Sequence, residues 1–460
     1  DMERVRAALD GHAERWLASY VQTCEATRLR GTQSEELLDL RMACLDHRLV
    51  ELATVVRVLE QGTPSAVERA VLVTQELSPP QQCAAVERNA GGAPRPRAGA
   101  EAAALAEAER ADAEWHALFA AGDFKGADQA AARQLAAATR STFEPAIAQA
   151  HHNLGRTASE LGRYKEAETE LHAAGVAALR GRDPAVFAHS RIDVIFTVGD
   201  RLGRTEEGQR AAAEAEAAAQ AAMDTSPRAQ ELLGYASSAR GNVLMRAGRY
   251  DEAERSARAG YDLLQRIRGP EHPQTLNALQ VLGNVAFLSG RYAEAASLLG
   301  SVATTRSKLL GAEHPQVAVS DLNWANALSE GGHHDEALAL YERALRTITA
   351  SYGQGHMLVG TALTNMGDEL RILGRYEEAL ACQHRALAAI RASLGDEHRE
   401  IAVALHNLAS TELAAGRPAA ALAPAEEALA MRRRVLGDAH PFVREDQKLL
   451  TEIRGALARR

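Results

Sequence analysis

The chain has 460 residues, enough for two or three ordinary domains or one long solenoid. Apolar residues make up 46 % and aromatics only 4 %, with alanine dominant, which favours close-packed helices over sheets. A net charge of −9 and a pI near 6.0 argue against nucleic acid as the main ligand, and no run of about 18 apolar residues exists to span a membrane. No signal peptide is visible, and the chain opens on Asp1 without an initiator Met, so it is expected to be a piece of something longer.

Residues 1–87 read as a small helical bundle. Val5, Leu9, Trp16, Leu17, Tyr20 and Val21 lie on one helical stripe. Thr32-Gln33-Ser34-Glu35 reads as a capping box for a second helix, whose stripe is Leu37, Leu40, Cys44, Leu45, Leu49, Leu52 and Val56. Pro64 opens a third helix that ends near Leu77, before Ser78-Pro79-Pro80. Residues 88–100, rich in Gly, Pro and Ala, read as a linker.

From there on a turn recurs: Gly122-Asp123-Phe124, Gly162-Arg163-Tyr164, Gly203-Arg204-Thr205, Gly248-Arg249-Tyr250, Gly290-Arg291-Tyr292, Gly332-His333-His334, Gly374-Arg375-Tyr376 and Gly416-Arg417-Pro418. The spacing is 40, 41 and 45 at first and then a constant 42. A second phrase is interleaved at the same period: Gly269-Pro270-Glu271-His272-Pro273, Gly311-Ala312-Glu313-His314-Pro315, Gly353-Gln354-Gly355-His356, Gly395-Asp396-Glu397-His398 and Gly437-Asp438-Ala439-His440-Pro441. A fixed period in this range marks a stacked repeat architecture. Between the two phrases apolar residues fall three and four apart, as in Leu276, Leu279, Leu282 and Val285, then Ala295, Leu298, Leu299 and Val302. Each repeat is therefore a helical hairpin, which buries its apolar face only by stacking on its neighbours. Residues 101–441 hold about eight hairpins, the first and third degenerate, with Gly208 where other repeats have Ala. Residues 442–460 read as a closing helix with Leu449, Leu450, Ile453 and Leu457 inward.

The phrase Gly-x-Tyr-x-Glu-Ala, as in Gly290-Arg291-Tyr292-Ala293-Glu294-Ala295 and Gly374-Arg375-Tyr376-Glu377-Glu378-Ala379, resembles the tetratricopeptide (TPR) repeat. The 42-residue period and the Gly-x-x-His-Pro link are similar to the kinesin-light-chain variety. The resemblance implies an all-α solenoid, a right-handed superhelix, whose first helices line a concave face. It says little about function, because such arrays hold many unrelated partners. Cys24-Glu25-Ala26-Thr27 and Gln33-Ser34-Glu35-Glu36-Leu37-Leu38-Asp39-Leu40-Arg41-Met42-Ala43-Cys44-Leu45 resemble the segment that follows the kinase domain and membrane helix in large myxobacterial-type serine/threonine kinases. There a TPR array comes next. That resemblance implies the C-terminal sensor part of such a kinase, beyond the membrane and therefore extracytoplasmic (periplasmic). A free-standing cytoplasmic adaptor, or the TPR part of a trimmed enzyme such as a protease, are the alternatives.

The extracytoplasmic placement implies one disulfide among Cys24, Cys44 and Cys83, in a compartment where disulfides persist. Spacing leaves the pair open: Cys24 and Cys44 are offset by about five residues about the Gly31-Thr32 turn, roughly 7 Å. Cys83 is the other partner for either, and three reduced thiols the alternative outcome. Cys382 reads as a buried repeat residue.

No Gly-rich phosphate loop, His-Arg-Asp, Asp-Phe-Gly, Walker lysine, Gly-x-Ser-x-Gly or His-Glu-x-x-His motif is present, so no catalytic residue and no cofactor is expected in this chain. The ladder His272, His314, His356, His398 and His440 offers one imidazole per repeat at helix-packing distance, too far apart to share a metal; these side chains are expected to fix the loops before each helix. The clusters His333-His334-Asp335 and His151-His152 are local and not assigned to metal. The useful pattern lies on the first helices. Asn153, Asn323, Asn365 and Asn407 stand nine residues before a turn Gly; Asn242, Asn284, Asn326 and Asp368 stand six before one; Asn277, Gln280, Arg371 and His406 fall around them. Three and six apart on a helix is one stripe. Amides offer donors and acceptors, which suits holding an extended protein or peptide backbone in the concave groove.

Overall fold

The computed structural model describes residues 2–62, 66, 69–75, 77–89, 95–96, 98–223, 229–395, 398–438 and 441–459. Among these residues every regular element is helical, and the chain divides into two compact units, Asp1–Val281 and Leu282–Arg460.

Unit 1 opens with α1 (Met2–Arg28) and α2 (Glu35–Glu60). Ser34, not Thr32, caps α2: it has the extended backbone a cap needs, and its hydroxyl accepts from the Leu37 N–H at 3.2 Å. The Thr32 hydroxyl turns back and donates to the Ala26 carbonyl. The buried face of α2 is Leu38, Leu45, Leu52, Val55 and Val58, while Leu40 and Leu49 stay exposed. On α1, Val5 is buried but Leu17 and Val21 face out, and Trp16 donates its indole N–H to the Leu45 carbonyl at 2.7 Å. The helix read from Pro64 to Leu77 is represented by α3 (Ala70–Gln75); Pro64 itself lies outside the described residues. A 3₁₀ segment, Pro80–Asn89, follows and is stapled to α2 by a Cys44–Cys83 disulfide. Most of the linker lies outside the described residues, and the next helix begins at Gly99.

The repeats in unit 1 are α4 (Gly99–Ala120) with α5 (Phe124–Ser141), α6 (Glu144–Glu160) with α7 (Tyr164–Arg180), α8 (Pro184–Val194) with α9 (Thr205–Ala221), and α10 (Ala229–Arg246) with α11 (Tyr250–Arg268). Helix α12 (Pro273–Leu288) crosses the boundary between the units. Unit 2 continues with α13 (Tyr292–Leu310), the pair α14 (Pro315–Glu330) and α15 (His334–Tyr352), the pair α16 (Met357–Ile372) and α17 (Tyr376–Leu394), and the pair α18 (Arg399–Ala414) and α19 (Pro418–Leu436). Helix α20 (Pro441–Ala458) closes it, with Leu449, Leu450 and Ile453 buried against Ala409, Ala421 and Ala425.

Three features of the repeat phrase explain the hairpin. The turn glycines have φ of +70° to +82°, which a side chain would disfavour. The small residue that follows the turn (Ala127, Ala167, Ala253, Ala295, Ala337, Ala379 or Ala421) is fully buried, so the two helices approach closely there. The Arg beside the Gly is a clamp. It pairs three residues ahead, as in Arg249–Glu252 and Arg375–Glu378. It also reaches back to the second helix of the preceding hairpin, as in Arg163–Asp128, Arg204–Glu168 and Arg417–Glu377. Such exposed pairs contribute little singly; their value here is in setting the register of one hairpin on the next. The sequence phrase contains this Arg, but nothing local shows that it bridges repeats.

The histidine ladder caps helices. His314, His356 and His398 are the N-cap residues of α14, α16 and α18, and each Nδ1 accepts the N–H two residues on, at 3.1 to 3.2 Å. His272 does the same for Gln274 at 3.3 Å. His440 lies outside the described residues.

The third hairpin is built differently. Helix α8 runs into a π-helical turn, Ile195–Arg201, and Gly199 packs on Gly208 so closely that a Cβ on Gly208 would sit 2.7 Å from the Gly199 Cα. The missing Ala at 208 is thus a packing requirement. Backbone meets backbone where the π turn brings α8 against α9.

Candidate functional site

Within each unit the first helices of neighbouring hairpins touch: α4 with α6, α6 with α8 and α8 with α10 in unit 1, then α14 with α16, α16 with α18 and α18 with α20 in unit 2. The second helices of neighbouring hairpins approach far less, so each stack curves toward its first helices and those line the inner face. Polar side chains tie these helices together. Asn153 is fully buried and donates to Asp112 Oδ1 and Gln134 Oε1, both at 2.8 Å. His152 Nε2 meets Asp193 Oδ2 at 2.7 Å, and Ser329 donates to Glu369 Oε2 at 2.5 Å. Burial pushes the Asp193 carboxyl up, but Arg156 and His152 outweigh it and hold it below the usual carboxylate range.

The amide stripe divides on this basis. In unit 2, Asn326 Oδ1 accepts from the Tyr341 hydroxyl at 2.6 Å and from Asn365 Nδ2 at 2.9 Å, which joins α14 to α15 and α16. Burial, then the carboxylates around it, raises the Tyr341 pKa and keeps that hydroxyl a donor. Asp368 Oδ1 takes Arg371 Nε and Nη2 at 2.8 and 2.7 Å. His406 Nδ1 lies 2.6 Å from Asp446 Oδ1, an oxygen that also accepts from Arg432, which fixes α18 to the closing helix. Asn326, Asn365, His406 and Asn153 are therefore ties between helices.

Asn284, Asn323 and Asn407 differ. Each is half-buried on a first helix, and none of their side-chain amides has a hydrogen-bond partner among the described residues. In unit 1, Asn242 is in the same state, Asn277 is exposed with its amide 3.4 Å from Gln274 Oε1, and Gln280 is half-buried. Two exposed apolar side chains, missed in the sequence pattern, stand beside the unit 2 stripe: Leu288 and Ile372, each two residues before its turn Gly and four after Asn284 and Asp368. Their shared place in the repeat was the available signal. Four residues apart puts each on the face of its neighbour in the stripe. The unit 2 face thus presents unpaired amides, an Asp–Arg pair and apolar side chains.

The local histidine clusters are spent on carboxylates: His151 on Glu170 at 2.6 Å, His334 on Glu369 at 2.5 Å and His333 on Glu336 at 3.2 Å. Among the described residues no group of three or more His, Cys, Asp or Glu side chains is placed to hold a metal ion. Of the cysteines, Cys44 and Cys83 pair, Cys24 is a half-buried free thiol, and Cys382 is buried in the core of unit 2, its thiol pKa raised by that burial. No described helix is long and apolar enough to cross a membrane.

A tetratricopeptide-repeat family matches residues 233–308, 316–379 and 358–434, and a second family of the same repeat matches 148–174. No curated protein matches the sequence. Among solved structures, the Rap protein complexed with Competence and Sporulation Factor is 12 % identical, with a TM-score of 0.51 over 77 % of this chain and 99 % of that one. The apo quorum sensor NprR of B. thuringiensis is 13 % identical, with a TM-score of 0.50 over 85 % and 100 %. Kinesin-light-chain TPR-like repeats of Podosopora anserina are 21 % identical, with a TM-score of 0.41 over 45 % and 98 %. At these identities the likeness to the Rap protein and to NprR is one of fold.

Proposed function

We propose that this chain, whose hairpins are tetratricopeptide repeats, is a protein-binding scaffold that holds an extended segment of a partner against its first helices. The observation that carries the reading is the set of unpaired amides at Asn284, Asn323 and Asn407. A half-buried amide without a partner is poised to take one, and an extended backbone supplies N–H and C=O groups in alternation. Leu288 and Ile372 give such a segment apolar area to cover. A structure of similar fold, the Rap protein, is complexed with Competence and Sporulation Factor.

The scaffold serves as the ligand-sensing or partner-docking region of a larger signalling protein, a serine/threonine kinase, and works outside the cytoplasm. The support is the resemblance of the stretch from Cys24 to Leu45, together with a disulfide that persists best in an oxidising compartment. Reading the parent gene upstream of Asp1 tests this part: a membrane helix preceded by kinase motifs is expected, and a different catalytic domain there would refute it.

Selection of peptides from a random display library on the full chain tests the groove. The selected peptides should tolerate alanine at most positions but lose binding when backbone nitrogens are methylated. Peptides whose binding depends on side chains alone would contradict a backbone grip.

A further inference from the structure

Helix α2 of the bundle packs against α4, and an open cavity of about 350 Å³ lies between them at the side of α2. That is within the range of small-molecule sites, about 300–1,000 Å³. One wall is a single face of α2, with Leu40, Ala43, Cys44 and His47; the facing wall is Leu105, Ala108, Glu109 and Asp112 of α4. Phe143, Ala146 and Val186 from the second and third hairpins add apolar area, and Arg95, Gln134, Gln149 and Asp183 add polar groups to the lining.

Besides Asp112, the lining holds two other carboxylates. Glu109 pairs with Arg95 at 2.6 Å, and Asp183 Oδ1 caps α8 by accepting from the Ala185 and Val186 N–H groups. Asp112 has no Arg or Lys partner among the described residues; its ion-pair partners there are the imidazoles of His47 and His116. Its Oδ1 accepts amide N–H groups from Gln134 at 2.9 Å and Asn153 at 2.8 Å, which lock the carboxylate in place. Its Oδ2 takes no hydrogen bond among the described residues: His47 Nε2 and His116 Nε2 stand 3.8 and 3.7 Å away, beyond hydrogen-bond reach. A fixed carboxylate oxygen that takes no hydrogen bond, at the side of a small, partly apolar cavity, is complementary to an apolar body carrying a protonated amine.

We propose that this cavity binds a small organic amine, its ammonium group donating to Asp112 Oδ2 and its apolar part lying between α2 and α4. Such a ligand touches the bundle and the first three hairpins at once, so its binding free energy holds them together. The site is separate from the groove of unit 2, and neither reading depends on the other.

Calorimetric titration of the full chain with phenethylamine, phenethyl alcohol and hydrocinnamate tests it. The three share a ring and a chain and differ in the polar end. The amine should bind about tenfold to a hundredfold more tightly than the alcohol, as expected for one charge-assisted hydrogen bond, with the carboxylate weakest. Asp112→Asn keeps the acceptor for Gln134 and Asn153 and should remove that preference. Ala43→Phe, at an exposed wall position, should block all three ligands without unfolding the chain. Equal binding of amine and alcohol, amine binding unchanged in both variants, or no heat from the amine at millimolar concentration would each overturn the proposal.

Discussion

The third hairpin and the hairpins of unit 2 solve the same problem in opposite ways. In unit 2 the helices meet at a buried Ala after a regular turn, and each hairpin is capped by a loop histidine. In the third hairpin a π-helical turn replaces the regular helix end and two glycines meet backbone to backbone. The departure from the repeat phrase is a second packing solution, and the residues that break the rule are the ones it requires.

If that comparison holds, substitutions that are harmless in one region should be costly in the other. The largest effect is expected at the staple. Replacing Cys44 and Cys83 by Ser should destabilise the bundle by about 2–4 kcal/mol, the usual worth of a disulfide, and leave the unfolding of residues 282–460 unchanged. Hydrogen exchange resolved by segment reads both. Next, Gly208→Ala, which restores the residue of the regular repeats, should cost about 2 kcal/mol by overpacking against Gly199, seen as a lower urea midpoint. The reverse change in unit 2, Ala379→Gly, should cost about 1 kcal/mol, for the opposite reason of lost helix propensity. A stabilising Gly208→Ala would remove the distinction.

A smaller effect concerns pH. His272 accepts a backbone N–H, so only its neutral form caps. Burial, with the charge of Arg268, holds its pKa below the ordinary value of 6.5. The unfolded chain therefore binds the proton more readily than the folded one. The stability contributed by the cap is present above about pH 6.5 and is lost as the pH falls through that value toward the folded pKa. His272→Asn, which caps without titrating there, should abolish that part of the pH dependence in thermal melts.

Legibility in the sequence followed the same division. The turn glycines and loop histidines were readable because each occupies a fixed place in a 42-residue period and has a local conformational reason to be there. The inner face of α2 was not: Leu37, Leu38, Leu40, Leu45, Leu49 and Leu52 supply more leucines than one stripe can hold, and burial chose Leu38 over Leu40. The cap at Ser34 was masked by a neighbouring Thr that fits the same rule. The amide stripe was readable as a stripe, yet its division was not. Whether an Asn is tied or unpaired depends on what the next repeat places beside it, as Asn365 does for Asn326, and periodicity within one helix carries no such information.

That division is also where the functional account is most exposed. Take one peptide selected on the full chain and measure its affinity and the melting temperature for two variants. Asn284→Ala/Asn323→Ala/Asn407→Ala removes the unpaired amides; Asn326→Ala/Asn365→Ala removes the tied ones. The first variant should bind at least about tenfold more weakly, with its melting temperature unchanged, since the amides it lacks support nothing in the free protein. The second should melt lower, because the Tyr341 hydroxyl and the contact between α14 and α16 lose their partner. Full affinity in the first variant, with the fold intact, would contradict a backbone grip by these residues.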